Sequence, residues 1–317
     1  MTPKFSLIIP AFNVAQYLNE CLESIVDQSF TDWEAVVIDD GSTDSTGRIA
    51  EEWGSKDCRF HIIHQANRGL SAARNEGIKA AHGDYVLFLD GDDWLEPDAL
   101  AQINDNVQDE DILCFTGHRY FEDTKQFEEP DILKDKSYQT GWDYYVLNAL
   151  KDRKFPFVCV VLQAYRREFL LCHNLFFKEG IYHEDNLFTP LAYYYAQKTR
   201  VTNLCLYNYR VRANSIMTTP SLKHMEDMLL VANYLSHFFG SKKDLEKTTV
   251  YRYITHMYQR PFEETKDKQA ETVLLKQVDW NAYYTVSRTK LRHRVQYAAL
   301  RLSPALFRWI VRITTYR

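Results

Sequence analysis

Five short apolar runs, near residues 5–10, 34–39, 59–64, 84–89 and 111–115, recur along the first part of the chain with helical stretches between them. Runs apolar on both faces are what parallel strands need, because helices cover each side of such a sheet. The alternation therefore predicts a doubly wound α/β layer. Phe5-Ser6-Leu7-Ile8-Ile9-Pro10 makes the first strand, and Asn13 with Gln16 reads as a capping box opening a helix through Tyr17, Leu18, Cys21, Leu22, Ile25 and Val26. Between the third and fourth strands, Ser71–Ala81 reads as a helix closed near Gly83.

The loops at the strand tips carry unusual charge. Tyr85-Val86-Leu87-Phe88-Leu89 runs into Asp90-Gly91-Asp92-Asp93, and Pro97, Ala99, Leu100 and Ile103 then open a helix. Three carboxylates thus crowd the C-terminal edge of the sheet, where open α/β folds bind their ligands. Like charges that close repel unless a cation joins them. One or two carboxylates plus substrate phosphates is how Mg²⁺ or Mn²⁺ is usually held. One unit earlier, Glu34–Asp39 ends in Asp39-Asp40-Gly41-Ser42-Thr43-Asp44. Gly41 permits positive φ, and Ser42, Thr43 or Asp44 can cap the next helix. One carboxylate is enough for a cap; the second, Asp40, is suited to accept the imide N–H of a uracil. For either loop taken alone, a solvated acidic turn remains the alternative.

Taken together, Ser6–Asn13, Asp39–Asp44, Asn67-Arg68-Gly69-Leu70-Ser71-Ala72-Ala73-Arg74-Asn75 and Asp90–Asp93 resemble, in order and spacing, the signatures of family 2 glycosyltransferases with the GT-A fold. The likeness spans about the first 220 residues, weakening after Asp93 and returning at His183-Glu184-Asp185 and Tyr207–Met217. It implies a GT-A-like, doubly wound, mostly parallel α/β sheet flanked by helices, with a C-terminal helical extension. It also implies an inverting enzyme that uses a nucleotide sugar and a divalent metal, Mn²⁺ or Mg²⁺. Metal ligands would be Asp92 and Asp93, with Asp90 a weaker candidate. Donor contacts would fall at Pro10, Phe12, Asn13, Asp40, Asn67, Gly69, Arg74, Asp92 and Arg212. A structural salt bridge is an equal reading for Arg74, as solvated strand positions are for Arg210 and Arg212.

Glu184-Asp185 opens a plausible helix through Leu191, Ala192, Tyr194 and Tyr195. A helix-capping carboxylate is the plain reading. The resemblance makes Asp185 the general base and gives Glu184 a positioning role. Sugar transfer needs such a base, because the acceptor hydroxyl must lose its proton as it attacks. Leu204–Arg212 resembles the strand that closes such a site in the family, and the resemblance makes Ser215-Ile216-Met217 a flap near the diphosphate. Before Tyr165-Arg166-Arg167-Glu168 the family often carries a Trp and a basic residue; Val161-Leu162-Gln163-Ala164 stands here, so no acceptor contact is carried over.

These readings divide the chain into a catalytic domain at 1–220 (a nucleotide-sugar half at 1–100, an acceptor half at 101–220), a helical accessory region at 221–287 and a basic amphipathic tail at 288–317. Residues 118–140 read as an exposed excursion, and Trp142–Leu150 as a helix. Six cysteines without a CxxC pair, and no secretory signal before the first strand, point to reduced thiols in a cytoplasm. No run of 18 apolar residues is present to span a membrane. The net charge of −5 hides an asymmetry: residues 288–317 hold eight Lys or Arg and no acid, which leaves the body near −13. Such a body does not bind nucleic acid.

Within the tail, Ser303-Pro304 reads as the start of a helix whose Leu306, Phe307, Trp309, Ile310, Val311 and Ile313 form a broad apolar face, with Arg308 and Arg312 opposite. That pattern suits an anionic membrane surface on the inner face of the cytoplasmic membrane. A helix docked on its own domain is the alternative.

The function that follows is transfer of a sugar, hexosyl or N-acetylhexosaminyl, from a UDP-linked donor to a hydroxyl of a glycan or lipid-linked acceptor. The rivals are a catalytically inactive sugar-binding relative and a nucleotidyltransferase. The second would need a glycine- and arginine-rich phosphate loop after strand one, which Pro10-Ala11-Phe12-Asn13 lacks. A Rossmann dehydrogenase is excluded by the missing GxGxxG.

Overall fold

The computed structural model describes residues 2–130, 133, 135–146, 159–212, 221–243 and 245–315. The chain divides into two compact units. The first holds 1–145, 151–180 and 188–216; the second holds 146–150, 181–187 and 217–317. Residues 221–287 and the expected tail therefore belong to one helical unit, and the Glu184-Asp185 pair groups with that unit rather than with the sheet.

The first unit is a ten-stranded mixed sheet with helices. In chain order its elements are β1 (Phe5–Ala11), α1 (Leu18–Val26), β2 (Trp33–Asp39), α2 (Thr46–Lys56), β3 (Phe60–His64), α3 (Leu70–Ala80), β4 (Tyr85–Phe88) and β5 (Trp94–Leu95). There follow α4 (Ala99–Asn106), β6 (Ile112–Phe121), β7 (Gln126–Glu128), β8 (Lys136–Tyr138), α5 (Gly141–Tyr144), β9 (Gln163–Arg166), α6 (Arg167–Cys172), α7 (Glu184–Tyr195), whose residues 184–187 group with the second unit, and β10 (Thr199–Val211). The strand order is β3-β2-β1-β4-β9-β6-β10-β5. β3, β2, β1 and β4 are parallel, as the apolar runs predict. β9 runs antiparallel between β4 and β6, and β5 antiparallel to β10, so the far half of the sheet is mixed.

The chain winds outward from β1 in both directions, which puts the topological switch point at the carboxyl ends of β1 and β4. Phe5, Leu7, Ile8 and Ile9 are fully buried there. Each such side chain contributes roughly 1.5–3 kcal/mol. Gly77 lets α3 lie directly on β1, since a Cβ there would come within 2.2 Å of Ile8 Cγ2.

Two local expectations need correction. Asn13 and Gln16 do not cap α1: the helix starts after Tyr17 without a side-chain cap, and Asn13 takes a left-handed φ of 51°. The Asn13 side chain instead accepts the backbone N–H groups of Thr43 (2.8 Å) and Asp44 (3.3 Å), tying the β1 tip to the β2 tip. Residues 118–140 are not a plain excursion, because β6 continues to Phe121 and pairs with β7, while β8 pairs with β10. Cross-strand partners such as Arg119–Glu128 (2.9 Å) satisfy the polar residues that made this stretch look irregular. The helix over Trp142–Leu150 is α5 at its start, and positions 147–150 fall outside the described residues. The six cysteines are free.

The second unit comprises residues 181–187 with α8 (Leu222–Gly240), α9 (Thr248–Glu264), α10 (Lys268–Gln277), α11 (Trp280–Ser287), α12 (Leu291–Leu302) and α13 (Pro304–Thr315). Its core holds Leu229, Val231, Leu235, Ile254, Tyr258 and Tyr283, buried by helical spacing. No helix among the described residues is long and apolar enough to cross a membrane.

His293 in α12 is 1% exposed, and burial followed by the charges of Arg292, His256, Lys290 and Arg252 depresses its pKa from 6.5 to about 4. The folded state then binds fewer protons than the unfolded one, so this histidine's contribution is intact above pH 6.5 and is lost as pH falls toward 4. In urea titrations the midpoint should drop across that window, and His293→Gln should flatten the drop. An unchanged pH profile in the variant would assign the acid sensitivity to other groups.

Candidate active site

At the carboxyl edge of the parallel strands, backbone bonds lock the tips together. Asp40 N donates to Ala11 O (2.9 Å) and Gly91 N to Pro10 O (3.3 Å). Gly41 turns at φ 73°, where a Cβ would sit 2.7 Å from Asn67 N. Asp39 is occupied by its own loop: Oδ1 accepts Ser42 N (3.0 Å) and Oδ2 meets His64 Nδ1 (2.9 Å). Asp40 is 3% exposed. Its Oδ1 accepts from Gln65 Nε2 (2.6 Å) and Arg68 N (2.9 Å), and its Oδ2 from Gly69 N (2.8 Å). The doubled aspartate thus fastens the Asn67–Gly69 loop onto the β2 tip. Phe12 stands out at 45% exposure beside them.

The Asp90–Asp93 turn is closed by Asp93 N donating to Asp90 O (2.9 Å). Each carboxylate has a different environment. Asp90 meets Arg74 NH2 at 3.0 Å, and Arg74 lies buried between the rings of Phe88 and Phe177. Asp92 is gripped by Arg212 at one oxygen only, Oδ2, through Nε (2.8 Å) and NH2 (2.7 Å). Asp93 is 2% exposed and uses both oxygens within the chain: Oδ2 accepts Tyr207 OH (2.6 Å) and Oδ1 accepts Arg210 N (2.7 Å). Burial, then neighbouring carboxylates, push Asp93 well above the usual carboxylate range and raise Asp92 as well. The turn is a crowded set of negative charges held by arginines from α3 and β10.

Asp93, expected among the metal ligands, accepts one hydrogen bond at each oxygen and so pins β10 to the turn, which leaves further lone pairs on both oxygens. Asp90 and Asp92 keep side-chain exposures of 25% and 21%. These two carboxylates, crowded and partly open, suit a divalent cation that would relieve their repulsion. Among the described residues no group of three or more His, Cys, Asp or Glu can hold a metal by itself. A cation here would therefore need substrate oxygens as well, as Mg²⁺ and Mn²⁺ sites with phosphates do.

Tyr207 and Arg210 are the residues that sequence reasoning missed or undervalued. Tyr207 OH also accepts Asp90 N (3.3 Å), so one buried phenol bridges both ends of the turn. Arg210 Nε donates to Asp92 O (2.8 Å) and its NH2 to Glu20 (2.6 Å), within 4.6–5.5 Å of the Trp94, Tyr17 and Tyr120 ring centres. The only sequence signal was the alternation of Tyr207, Tyr209 and Val211 against Asn208, Arg210 and Arg212 along β10. The flap Ser215-Ile216-Met217 lies outside the described residues.

In the second unit, Glu184 and Asp185 occupy the first turn of α7. His183 precedes them with a left-handed φ of 62°, and Asn186 N closes back on its carbonyl at 3.1 Å. Burial first, and then the charge of Asp185, raise the pKa of the part-buried Tyr253, whose OH donates to Asn186 Oδ1. Beside them is a cavity of about 50 Å³ lined by His183, His224, Met225, Met228, Arg260 and Glu264. Tyr182 stacks on His224 with centroids 3.8 Å apart. Burial, then the His224 and Arg260 charges, lower the His183 pKa.

A ligand edge formed by parallel-strand tips, with a charge-compensated Asp-Gly-Asp-Asp turn, sits on an α/β sheet of the GT-A kind. Residues 6–173 match the family model described as glycosyl transferase family 2, and the chain belongs to that family. EpsH of Bacillus subtilis, a glycosyltransferase by name, is 34% identical over 253 residues, which cover 78% of this chain and 72% of EpsH. Residues 1–349 of S. aureus TarS, solved with UDP-GlcNAc, superpose with a TM-score of 0.74 over 97% of this chain and 90% of that one, at 22% identity. The mannosyltransferase PcManGT from Pyrobaculum calidifontis, solved with GDP-Man and Mn²⁺, gives a TM-score of 0.50 over 98% and 84% of the two chains at 15% identity. At such identities these two structures speak for the fold alone.

Proposed function

We propose that this glycosyltransferase moves a sugar from a UDP-linked donor to a hydroxyl of a glycan or lipid-linked acceptor, with inversion at the anomeric carbon. The observation that carries the reading is the Asp90–Asp92 turn at the switch point, whose charge Arg74 and Arg212 compensate. The UDP-GlcNAc complex of the similarly folded TarS supports a UDP-linked hexose or N-acetylhexosamine as donor. In this reading Phe12 offers a face for the base, and Asp40 turns its remaining acceptor capacity to the uracil N–H. The tips at Pro10, Asn13, Asn67 and Gly69 line the nucleoside. Arg212, already beside Asp92, meets the diphosphate as it arrives.

Asp92, with Asp90, would hold Mn²⁺ or Mg²⁺, whose chemistry when bound is to neutralise the charge growing on the leaving diphosphate. The acceptor oxygen bonds to the anomeric carbon on the face opposite the diphosphate. As the bond to the phosphate oxygen breaks, the acceptor proton passes to the Asp185 carboxylate, and Glu184 positions the hydroxyl. The working place in this reading is the cytoplasm, on the inner face of the membrane where glycans are assembled.

Thermal unfolding with a panel of nucleotide sugars plus Mn²⁺ tests the donor, since a ligand that binds only the native state raises its stability. UDP-sugars should raise the melting temperature more than GDP-sugars do. Asp92→Asn should lower metal-dependent UDP affinity at least tenfold while the unliganded melting temperature holds. Unchanged metal-dependent affinity in that variant would remove the turn from the donor site. Release of UDP from a donor panel separates an active enzyme from an inactive sugar-binding relative.

A further inference from the structure

The helices α12 and α13 show a surface whose composition is unlike the rest of the chain. Of the fourteen large apolar side chains exposed among the described residues, six lie in the last 27 positions: Leu291, Val295, Leu302, Leu306, Trp309 and Ile313. Each helix carries its own exposed apolar stripe: Leu291, Val295, Ala298 and Leu302 follow at four, three and four residues along α12, and Leu306, Trp309 and Ile313 at three and four along α13, with the extended Ser303 between them. Leu291 and Leu302 are 74% and 78% exposed, and Trp309 58%.

Internal bonds hold these helices by their other faces. Phe307 is fully buried, and Gln296 Nε2 donates to Thr314 Oγ1 (3.0 Å) between the two helices. Arg308 is turned inward, its NH1 donating to Phe262 O, Thr265 O and Glu271 Oε1. The expected single apolar face with Arg308 and Arg312 opposite is therefore divided: one part docks on its own unit, and the rest stays outside.

We infer that this outer face is a docking surface for an anionic lipid bilayer. Charge complementarity selects the occupant. Arg288, Lys290, Arg292, Arg294, Arg301 and Arg312 are exposed around the stripe, and no acid occurs from 288 to 317. A second copy of this chain pairing through the same face would set like charge against like charge. An anionic headgroup layer instead meets cations at the rim while Trp309 and the leucines enter the acyl boundary. The inference rests on residues outside the transfer site and stands or falls separately from the reaction.

Flotation of the full chain with vesicles tests it. At low salt the protein should float with vesicles of phosphatidylglycerol and phosphatidylethanolamine in equal parts, and remain below with phosphatidylcholine vesicles. The triple variant Arg292→Gln/Arg294→Gln/Arg312→Gln should partition roughly 100-fold less, and high salt should mimic it. Leu302→Ser/Trp309→Ser should lose binding while keeping its melting temperature. UDP release from soluble donor should survive in both variants. Failure to float with anionic vesicles overturns the inference, as does equal flotation with neutral ones. So does a dimer in the wild type that Leu302→Ser/Trp309→Ser dissolves without changing flotation; the face would then be a self-interface.

Discussion

Asp185→Asn is expected to cut sugar transfer by roughly 10²- to 10⁴-fold while UDP affinity stays within about twofold of wild type. The substitution keeps the size and position of the group in the first turn of α7 and removes only its ability to take a proton. The donor-binding residues proposed at the strand tips are carried by other elements, so they should not register the change. Glu184→Gln should cost less in turnover and more in acceptor KM, because a positioning group acts through the hydroxyl it holds. The measurement is steady-state transfer with each accepted donor, alongside UDP titration. Wild-type turnover in Asp185→Asn, with a correctly folded protein, would mean that another group receives the proton.

Arg210→Ala should lower the free energy of unfolding by about 2–4 kcal/mol, from the lost packing among the rings and the Asp92 carbonyl left without its donor, read from urea titration. Only 7% of Arg210 is exposed, yet it serves Asp92 O and Glu20 and packs against Tyr17, Trp94 and Tyr120. Truncation leaves a cavity among the rings, strips the Asp92 carbonyl of its side-chain donor and removes the partner of Glu20. Lysine should recover only part of the loss, because a single ammonium cannot reproduce the planar guanidinium lying among rings and reaching two acceptors. A loss below 1 kcal/mol would show that the β10–turn junction is held mainly by Tyr207 and Asp93.

The sheet's parallel half was readable because both faces of β1, β2 and β4 are buried, which writes uninterrupted apolar runs into the sequence. β5 and β9 left no such trace: one has two residues and the other four, and each takes its shape from neighbours distant in sequence. Asn13 shows the same limit from the other side. Its spacing to Gln16 fits a capping box, but the competing N–H groups of Thr43 and Asp44 come from a loop 30 residues away.

The sequence by itself determined which groups collect at the ligand edge, since a strand's end and the loop after it are local properties. That places Asp40, Asp90, Asp92 and Asp93 at the strand tips, and Glu184 and Asp185 at a helix start. Tertiary structure alone decided what each carboxylate does there. Asp93 is buried and bonded to Tyr207 and Arg210, Asp40 fastens the Arg68–Gly69 loop, and Asp90 and Asp92 stay partly open. It also decided that Arg308 points inward while Trp309 points outward. The physical reason is the same throughout. Residue type fixes the donors, acceptors and charges that a side chain offers, whereas the partners that use them come from segments 16 to 120 positions away.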